Sequence, residues 1–295
     1  MINYSKFVEN SRKWLSQYIK DNHLQSCVLG ISGGIDSCIS ACLAQPVCEE
    51  LNIPLIGRSL PTGTNKQEEC DVADLVGKAF CTDYKEVPIN CDDIIHELEL
   101  CEGKITPLQK GNIKARYRMM YLYNLASIHK GVVLDNDNFT EWNLGFWTLK
   151  GDEGDINLGL HYLWKTEIYE LANYLLEELD AKIQDTYKDY SNNVVEEQYD
   201  ALLESIKLIP TDGNGVSNSD CEQFGLDNYE QVDDVLKTMY YNKVIKDDYS
   251  DNSEYLRLID SYNEQGVDKV MILHQNTAYK RKELPIKPTR EELGL

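Results

Sequence analysis

Gly30-Ile31-Ser32-Gly33-Gly34-Ile35-Asp36-Ser37 is the stretch on which the fold of this chain turns. The apolar run Cys27-Val28-Leu29-Gly30-Ile31 leads into it, and a helical pattern from Ser37 to about Leu51 leads out. A short apolar run closed by glycines marks a strand buried on both faces. Gly33 and Gly34 let backbone amides approach an anion with no Cβ in the way. The helix that opens behind them offers unpaired N–H groups and a partial positive charge. Ser32 and Ser37 add hydroxyl donors. Asp36 is out of place beside a bare phosphate, but a carboxylate there makes sense as a ligand for the magnesium that accompanies a nucleotide. The spacing is neither GxxxxGK[ST] nor GxGxxG. The competing reading is a plain strand-to-helix turn with Asp36 as a first-turn charge. The S-G-G-x-D-S string between a strand and a helix speaks against it.

Outward from the loop, residues 5 to 22 carry Val8, Trp14, Leu15, Tyr18 and Ile19 at helical spacing. Pro54 to Leu60 reads as a second strand, residues 67 to 80 as a helix and Tyr84 to Ile89 as a third strand. Leu108 to His129 reads as a long helix, and Val132-Val133-Leu134 as a further buried strand. Strands alternating with helices predict an α/β fold, a Rossmann-like parallel sheet with helices on both faces and any ligand along the strand C-termini. No repeat, low-complexity tract or linker divides the sequence, so one domain over residues 1–295 is expected. Tyr187 to Ser205 is polar and reads as a loop and an exposed helix. The C-terminal third reads as irregular, with a mobile loop from Asp212 to Asp220.

Fifty acidic side chains against 29 basic ones give a formal charge of −21. Such a field repels nucleic acid backbones and anionic membranes. No apolar leader follows the N-terminus, and no run approaches the ~18 apolar residues of a spanning helix. A cytoplasmic location is expected. Nine cysteines form no CxxC pair, which predicts reduced, mostly buried thiols rather than disulfides or a zinc site.

Ser32 to Ser37 resembles the pyrophosphate loop of the N-type ATP pyrophosphatases, whose fold is adenine nucleotide alpha hydrolase-like. These enzymes cut ATP between the α and β phosphates and adenylate a substrate oxygen. A second stretch chooses among them. Lys110-Gly111-Asn112-Ile113-Lys114-Ala115-Arg116-Tyr117-Arg118-Met119-Met120 resembles the K-G-N-x-x-A-R-x-R-M helix of the ammonia-dependent NAD synthetase family. Thr140-Glu141, then Gly145-Phe146-Trp147-Thr148 and Gly151-Asp152, resemble its run from a glutamate through G-F-F-T-K-Y-G-D. Lys165 falls at its triphosphate lysine and Pro210-Thr211-Asp212 at its P-[ST]-A-D. Ser219-Asp220 through Gly225, and Tyr279-Lys280-Arg281 with Pro285, resemble its closing segments. The likeness runs in order along nearly the whole chain.

The resemblance implies that deamido-NAD, ATP and ammonia give NAD, AMP and pyrophosphate through an adenylated carboxylate. It implies an ATP site of Gly30 to Ser37 with Asn136, Lys165 and Thr211, and magnesium on Asp36 and Glu141. Asp36, Glu141 and Lys165 would be catalytic. Arg116, Phe146, Lys150, Asp155, Tyr279 and Lys280 would hold deamido-NAD, in a homodimer. About 26 residues precede the first strand, too few for a glutaminase domain, so free ammonia is the expected nitrogen donor. Several positions depart from the pattern. Asn136 stands at a threonine, Leu149 at the substrate lysine with Lys150 beside it, and Ile156 at the substrate aspartate with Asp155 beside it. Tyr279 stands at a histidine, Arg58 is displaced by one from the R-L-P arginine, and residues 181 to 208 read as an insertion. These departures keep open a related amidating ligase acting on another nucleotide carboxylate, or a catalytically weak nucleotide-binding relative.

Overall fold

In the computed structural model, which describes residues 2–186, 193–211, 219–242, 252–282 and 288–295, alternation along the strands accounts for the layers. β1 (Ser26–Gly30) sends Cys27 and Leu29 to one face and Val28 to the other. β2 (Leu55–Ser59) divides Leu55 from Ile56 in the same way, and β4 (Gly131–Asp135) divides Val132 and Leu134 from Val133. Strands with apolar groups on both faces need cover on both. α1 (Tyr4–Asp21), α2 (Ile35–Glu50) and α3 (Gln67–Phe80) cover one face. After β3 (Asp83–Glu86) and α4 (Asp92–Glu102), α5 (Pro107–Ile128) covers the other with Met119, Leu122, Leu125 and Ala126.

The sheet closes with β5 (Ile156–Asn157), which follows α6 (Phe139–Leu144). All pairs are parallel, in the order β3-β2-β1-β4-β5, and Val28 lies beside both Ile56 and Val133. The chain leaves β1 over one face and returns to β4 from the other. A crevice therefore opens between the C-terminal ends of β1 and β4, where the glycine loop and α6 begin.

One defect in α2 is repaired locally. Pro46 lies inside the helix and has no N–H for the carbonyl of Cys42, which instead accepts from Arg12 Nη2 at 3.3 Å.

Expectation and structure part in three places. The third strand ends at Glu86 rather than Ile89, although Val87 N and Ile89 N still donate to Ser59 O and Pro61 O. α7 (Lys165–Thr186) and α8 (Asn193–Lys207) pack together over the α2–α3 side. The expected exposed helix is thus half buried. Ala201 and Leu202 are fully covered, and Gln198 Nε2 donates to Ala79 O. Residues 187–192 and 212–218, the bulk of the two expected loops, lie outside the described residues.

The C-terminal third is helical rather than irregular. α9 (Asp220–Phe224), α10 (Tyr229–Asn242), α11 (Ser253–Ser261) and α12 (Glu264–Asn276) build a second apolar cluster with Leu144 and Trp164, and α13 (Arg290–Leu293) returns to α1. Phe224, Val232, Val235, Leu258, Val267 and Val270 fill that cluster. Acidic and Tyr-rich flanks mask their helical spacing in the sequence.

Candidate active site

The glycine loop is built to leave donors open. Gly33 sits at φ 88°, and a Cβ there would lie 2.5 Å from Glu69 O in α3. Ser37 Oγ donates to Gly34 O at 3.0 Å, and Gly34 N donates to Ser32 Oγ at 3.2 Å, so the serines brace the turn. α2 starts after Gly34 with no side-chain cap among the described residues, which leaves its first N–H groups facing the crevice end.

Asp36, in that first turn, meets groups from two other elements. Its Oδ2 accepts from Lys165 Nζ at 2.5 Å and its Oδ1 from Asn138 Nδ2 at 3.0 Å. Lys165 Nζ also lies 3.4 Å from Glu141 Oε1. Asn138 caps α6 by accepting from Glu141 N, while Glu141 Oε2 accepts from Asn138 N. The cap that starts α6 thus orients the carboxylate that faces Lys165. The ring of Tyr229 lies 5.4 Å from Lys165 Nζ.

Lys165 is 2% exposed, so its charge is worth far more here than at the surface. Burial opposes its ammonium, but Asp36 and Glu141 outweigh burial and hold its proton more tightly than usual. One ammonium cannot neutralise two carboxylates. Burial, resisted by Lys165 and reinforced by the charge of Asp36, pushes the Glu141 carboxyl up to about 8. With both carboxylates ionised, the centre is short of one positive charge.

The other residues expected at the ATP site lie along the glycine loop. Asn136 Nδ2 donates to Gly30 O at 3.4 Å. Thr211 Oγ1 donates to Glu69 Oε1 at 2.5 Å, beside the backbone against which Gly33 packs. Arg58, the arginine displaced by one, is engaged within the sheet. It is 3% exposed and turned along the sheet, donating to Gly57 O, Asp83 O and Asp83 Oδ2. Arg118 supplies the guanidinium near the loop after β2, bonding Leu60 O, Thr62 Oγ1 and Asn65 Oδ1.

The expected dinucleotide residues divide. Arg116 Nε donates to Leu149 O at 3.1 Å, and Lys280 Nζ donates to Gly145 O and Trp147 O at 2.7 and 2.5 Å. Both therefore converge on the turn that also carries Lys150, whose own N–H is held by Glu153 Oε2. Tyr279 is exposed. Two of the expected residues also have partners within the protein. Asp155 Oδ2 accepts from Val133 N at 3.0 Å, so one oxygen of this carboxylate is tied to β4. Phe146 meets Phe224 edge to face at 4.9 Å and packs into the second cluster. Trp147 is the aromatic group beside Lys280, 5.3 Å from its Nζ, and it stacks on Trp142 at 5.4 Å.

Sequence reasoning did not single out Asn138, Thr140 and Trp147 as contributors. Asn138 was within reach, because N-x-x-E before an apolar run is a capping signature. Thr140 gives no local signal, since its partner Asp233 lies 93 residues away.

An uncapped helix start on a glycine turn, with a buried lysine between two carboxylates at the switch point of a parallel sheet, defines a nucleotide-binding α/β protein equipped to handle a triphosphate. The NAD synthase family model matches residues 7–284, and the chain belongs to that family. It is 28% identical over 249 residues to the NH(3)-dependent NAD(+) synthetase of Thermoplasma volcanium, covering 84% of this chain and 89% of that one. It is 33% identical over 176 residues to the protein of the same name from Finegoldia magna, covering 59% and 70%. In three dimensions it is similar to an NMN synthetase structure from Francisella tularensis, with TM-score 0.68, 22% identity, and coverage of 98% and 100%.

Proposed function

We propose that the protein amidates deamido-NAD with ammonia, consuming ATP and yielding NAD, AMP and pyrophosphate through an adenylated nicotinate carboxylate. The observation that carries this reading is the buried Lys165 held between Asp36 and Glu141 beside the open start of α2. A carboxylate is a poor acyl donor until its oxygen bears a leaving group. Transfer to the α-phosphate makes that leaving group AMP. The α2 N–H groups and Ser32 receive phosphate oxygens, Lys165 follows the charge of the triphosphate, and Asn136 and Thr211 flank the nucleotide.

Asp36 and Glu141 are the residues that would hold magnesium, which supplies charge neutralisation for the polyphosphate when bound. Hard oxygen donors and the missing positive charge at Glu141 fit such an ion. Among the described residues no cluster of three or more His, Cys, Asp or Glu could hold a metal ion. Arg116, Lys150 and Lys280 hold the acidic dinucleotide around the 145–153 turn, with Tyr279 at its rim.

Two further features of the reading concern the whole protein. A homodimer fits the exposed apolar face of α5, where Met120, Tyr123 and Ile128 stand clear of the core. A reducing, cytoplasmic setting fits nine free thiols. No helix among the described residues is long and apolar enough to cross a membrane.

A second acceptor, another nucleotide carboxylate such as nicotinate mononucleotide, is favoured by one observation. Leu149 and Ile156 replace charged family positions, and Asp155 is spent on Val133 N. The assay is pyrophosphate release with ATP, Mg²⁺ and ammonium, with deamido-NAD, nicotinate mononucleotide or no acid. Release with deamido-NAD is expected. Release only with the mononucleotide transfers the conclusion to that acceptor, and release with neither sinks both.

A further inference from the structure

We propose that Asp233 of α10, acting through Thr140, is the positioning residue that sets Lys165 against Asp36 and Glu141. This rests on the reading of Lys165 and Glu141 as ATP-handling groups. It concerns how the fold holds them there.

The start of α7 poses a problem. Trp164, which precedes the helix, has no side-chain oxygen with which to cap a first-turn N–H. Lys165 opens the helix, where the macrodipole disfavours a cation. Glu167, in the helix's own first turn, offsets part of the second difficulty and accepts from Trp164 N at 2.9 Å; the fold answers the rest from elsewhere in the chain. Thr140 Oγ1 accepts from Lys165 N at 2.8 Å, and Asp233 Oδ2 accepts from Thr166 N at 2.8 Å. Thr140 Oγ1 donates to Asp233 Oδ1 at 2.5 Å, which closes the chain of bonds. One carboxylate therefore joins the starts of α6 and α7.

Burial and sequence position give this link its leverage. Thr140 is 0% exposed, Asp233 1% and Lys165 2%, so water cannot replace a lost partner. Thr140 immediately precedes Glu141, and Thr166 immediately follows Lys165. Both oxygens of Asp233 are thus one residue removed from a member of the charged centre. Burial raises the Asp233 carboxyl, and the hydrogen bonds from Thr140 and Thr166 oppose that rise. Lys237 is the neighbouring cation, with Nζ 3.2 Å from Thr166 Oγ1. A negative group at the start of α7 offsets the unfavourable placement of Lys165.

The test uses Thr140→Val, which keeps the volume and deletes the hydroxyl, Thr140→Ser, which restores it, and Asp233→Asn, which keeps the shape. Substrate dependence of pyrophosphate release is measured for ATP and for deamido-NAD. Thr140→Val and Asp233→Asn are expected to raise KM for ATP and lower kcat by about tenfold to a hundredfold, the scale of a small misplacement of a reacting group. KM for deamido-NAD is expected to stay put, and Thr140→Ser to return near wild type. A merely structural loss scales kcat with the folded fraction and moves neither KM, and that outcome overturns the proposal. So does full activity with unchanged KM for ATP in both variants. If wild type releases no pyrophosphate from any acid, the proposed reaction fails, and ATP titration calorimetry then decides the positioning role without turnover. Weaker ATP binding in Thr140→Val, restored in Thr140→Ser, supports it. Equal binding in all three refutes it.

Discussion

Asp36 has two acceptor oxygens and two donors aimed at them, Lys165 Nζ and Asn138 Nδ2. Asn at this position keeps the shape but turns an N–H₂ toward one of those donors. Asp36→Asn should therefore cost about 1–3 kcal/mol of stability, the usual range for a buried donor left unpaired. The effect on turnover should be larger, because the site loses a preorganised charge. Pyrophosphate release is expected to fall by at least about a thousandfold. Undiminished turnover would remove Asp36 from the mechanism, and circular dichroism shows whether the fold survives. Glu141 carries its own pH signature. Its carboxyl is raised to about 8, so below that pH it is largely protonated in the free protein, and a cation binding there must displace the proton. Adenylation should then weaken as pH falls from about 8 toward 6. Ammonium also titrates on the alkaline side, so the step to follow is ammonia-free exchange of labelled pyrophosphate into ATP. A flat profile across that range contradicts the assignment of Glu141.

Helix α12 ties the second cluster to the active site through the end of α6. His274 Nδ1 lies 2.9 Å from Asn143 O, and a carbonyl can only accept, so the neutral ring carries its proton on Nδ1. Arg281 Nη1 reaches the same carbonyl, and Thr277 Oγ1 reaches Leu144 O. Burial, with Arg281 adding to it, lowers the His274 pKa. The unfolded chain therefore takes up a proton near the ordinary histidine value of about 6.5, before the folded one does. Stability from this group is present above that pH and is lost as pH falls through the folded value. Urea unfolding at pH 7 and pH 5.5 should show wild type losing more stability than His274→Gln, which keeps a donor but cannot titrate. Equal losses would exclude this contribution. Such ties also mark what the sequence conceals. The glycine loop and its flanking strands were legible because alternation and turn chemistry act over a few residues. The centre of Asp36, Glu141 and Lys165 was legible only through likeness to a family, since three elements more than 20 residues apart bring it together. The protein partners of Phe146 and Asp155 were hidden for a related reason. Whether an aromatic faces the second cluster, or a carboxylate turns back to Val133 N, depends on register, which no local pattern states.

At the scale of the molecule, charge and apolar surface oppose each other. Each chain carries a formal −21, so two copies repel, and only apolar contact over a sizeable area holds them together. The outward side of α5 offers such a surface. Met120, Tyr123 and Ile128 are exposed there, Ile113, Tyr117 and Tyr121 are half buried, and Ile94 and Leu98 stand exposed one turn apart on α4. Arg116 lies one turn before Met120, so an association through this face brings a second copy beside a residue proposed to hold the dinucleotide. Three consequences follow from that geometry. Sedimentation should show wild type as a dimer that tightens with salt, because salt screens the repulsion and leaves the apolar contact intact. Met120→Glu with Ile128→Glu buries new charge in the face and should give monomers. The monomer should bind deamido-NAD more weakly while its KM for ATP stays near wild type, because the centre of Asp36, Glu141 and Lys165 lies wholly within one chain. A wild-type monomer at micromolar concentration, or a doubly substituted protein that still dimerises, would show that this face serves some other purpose.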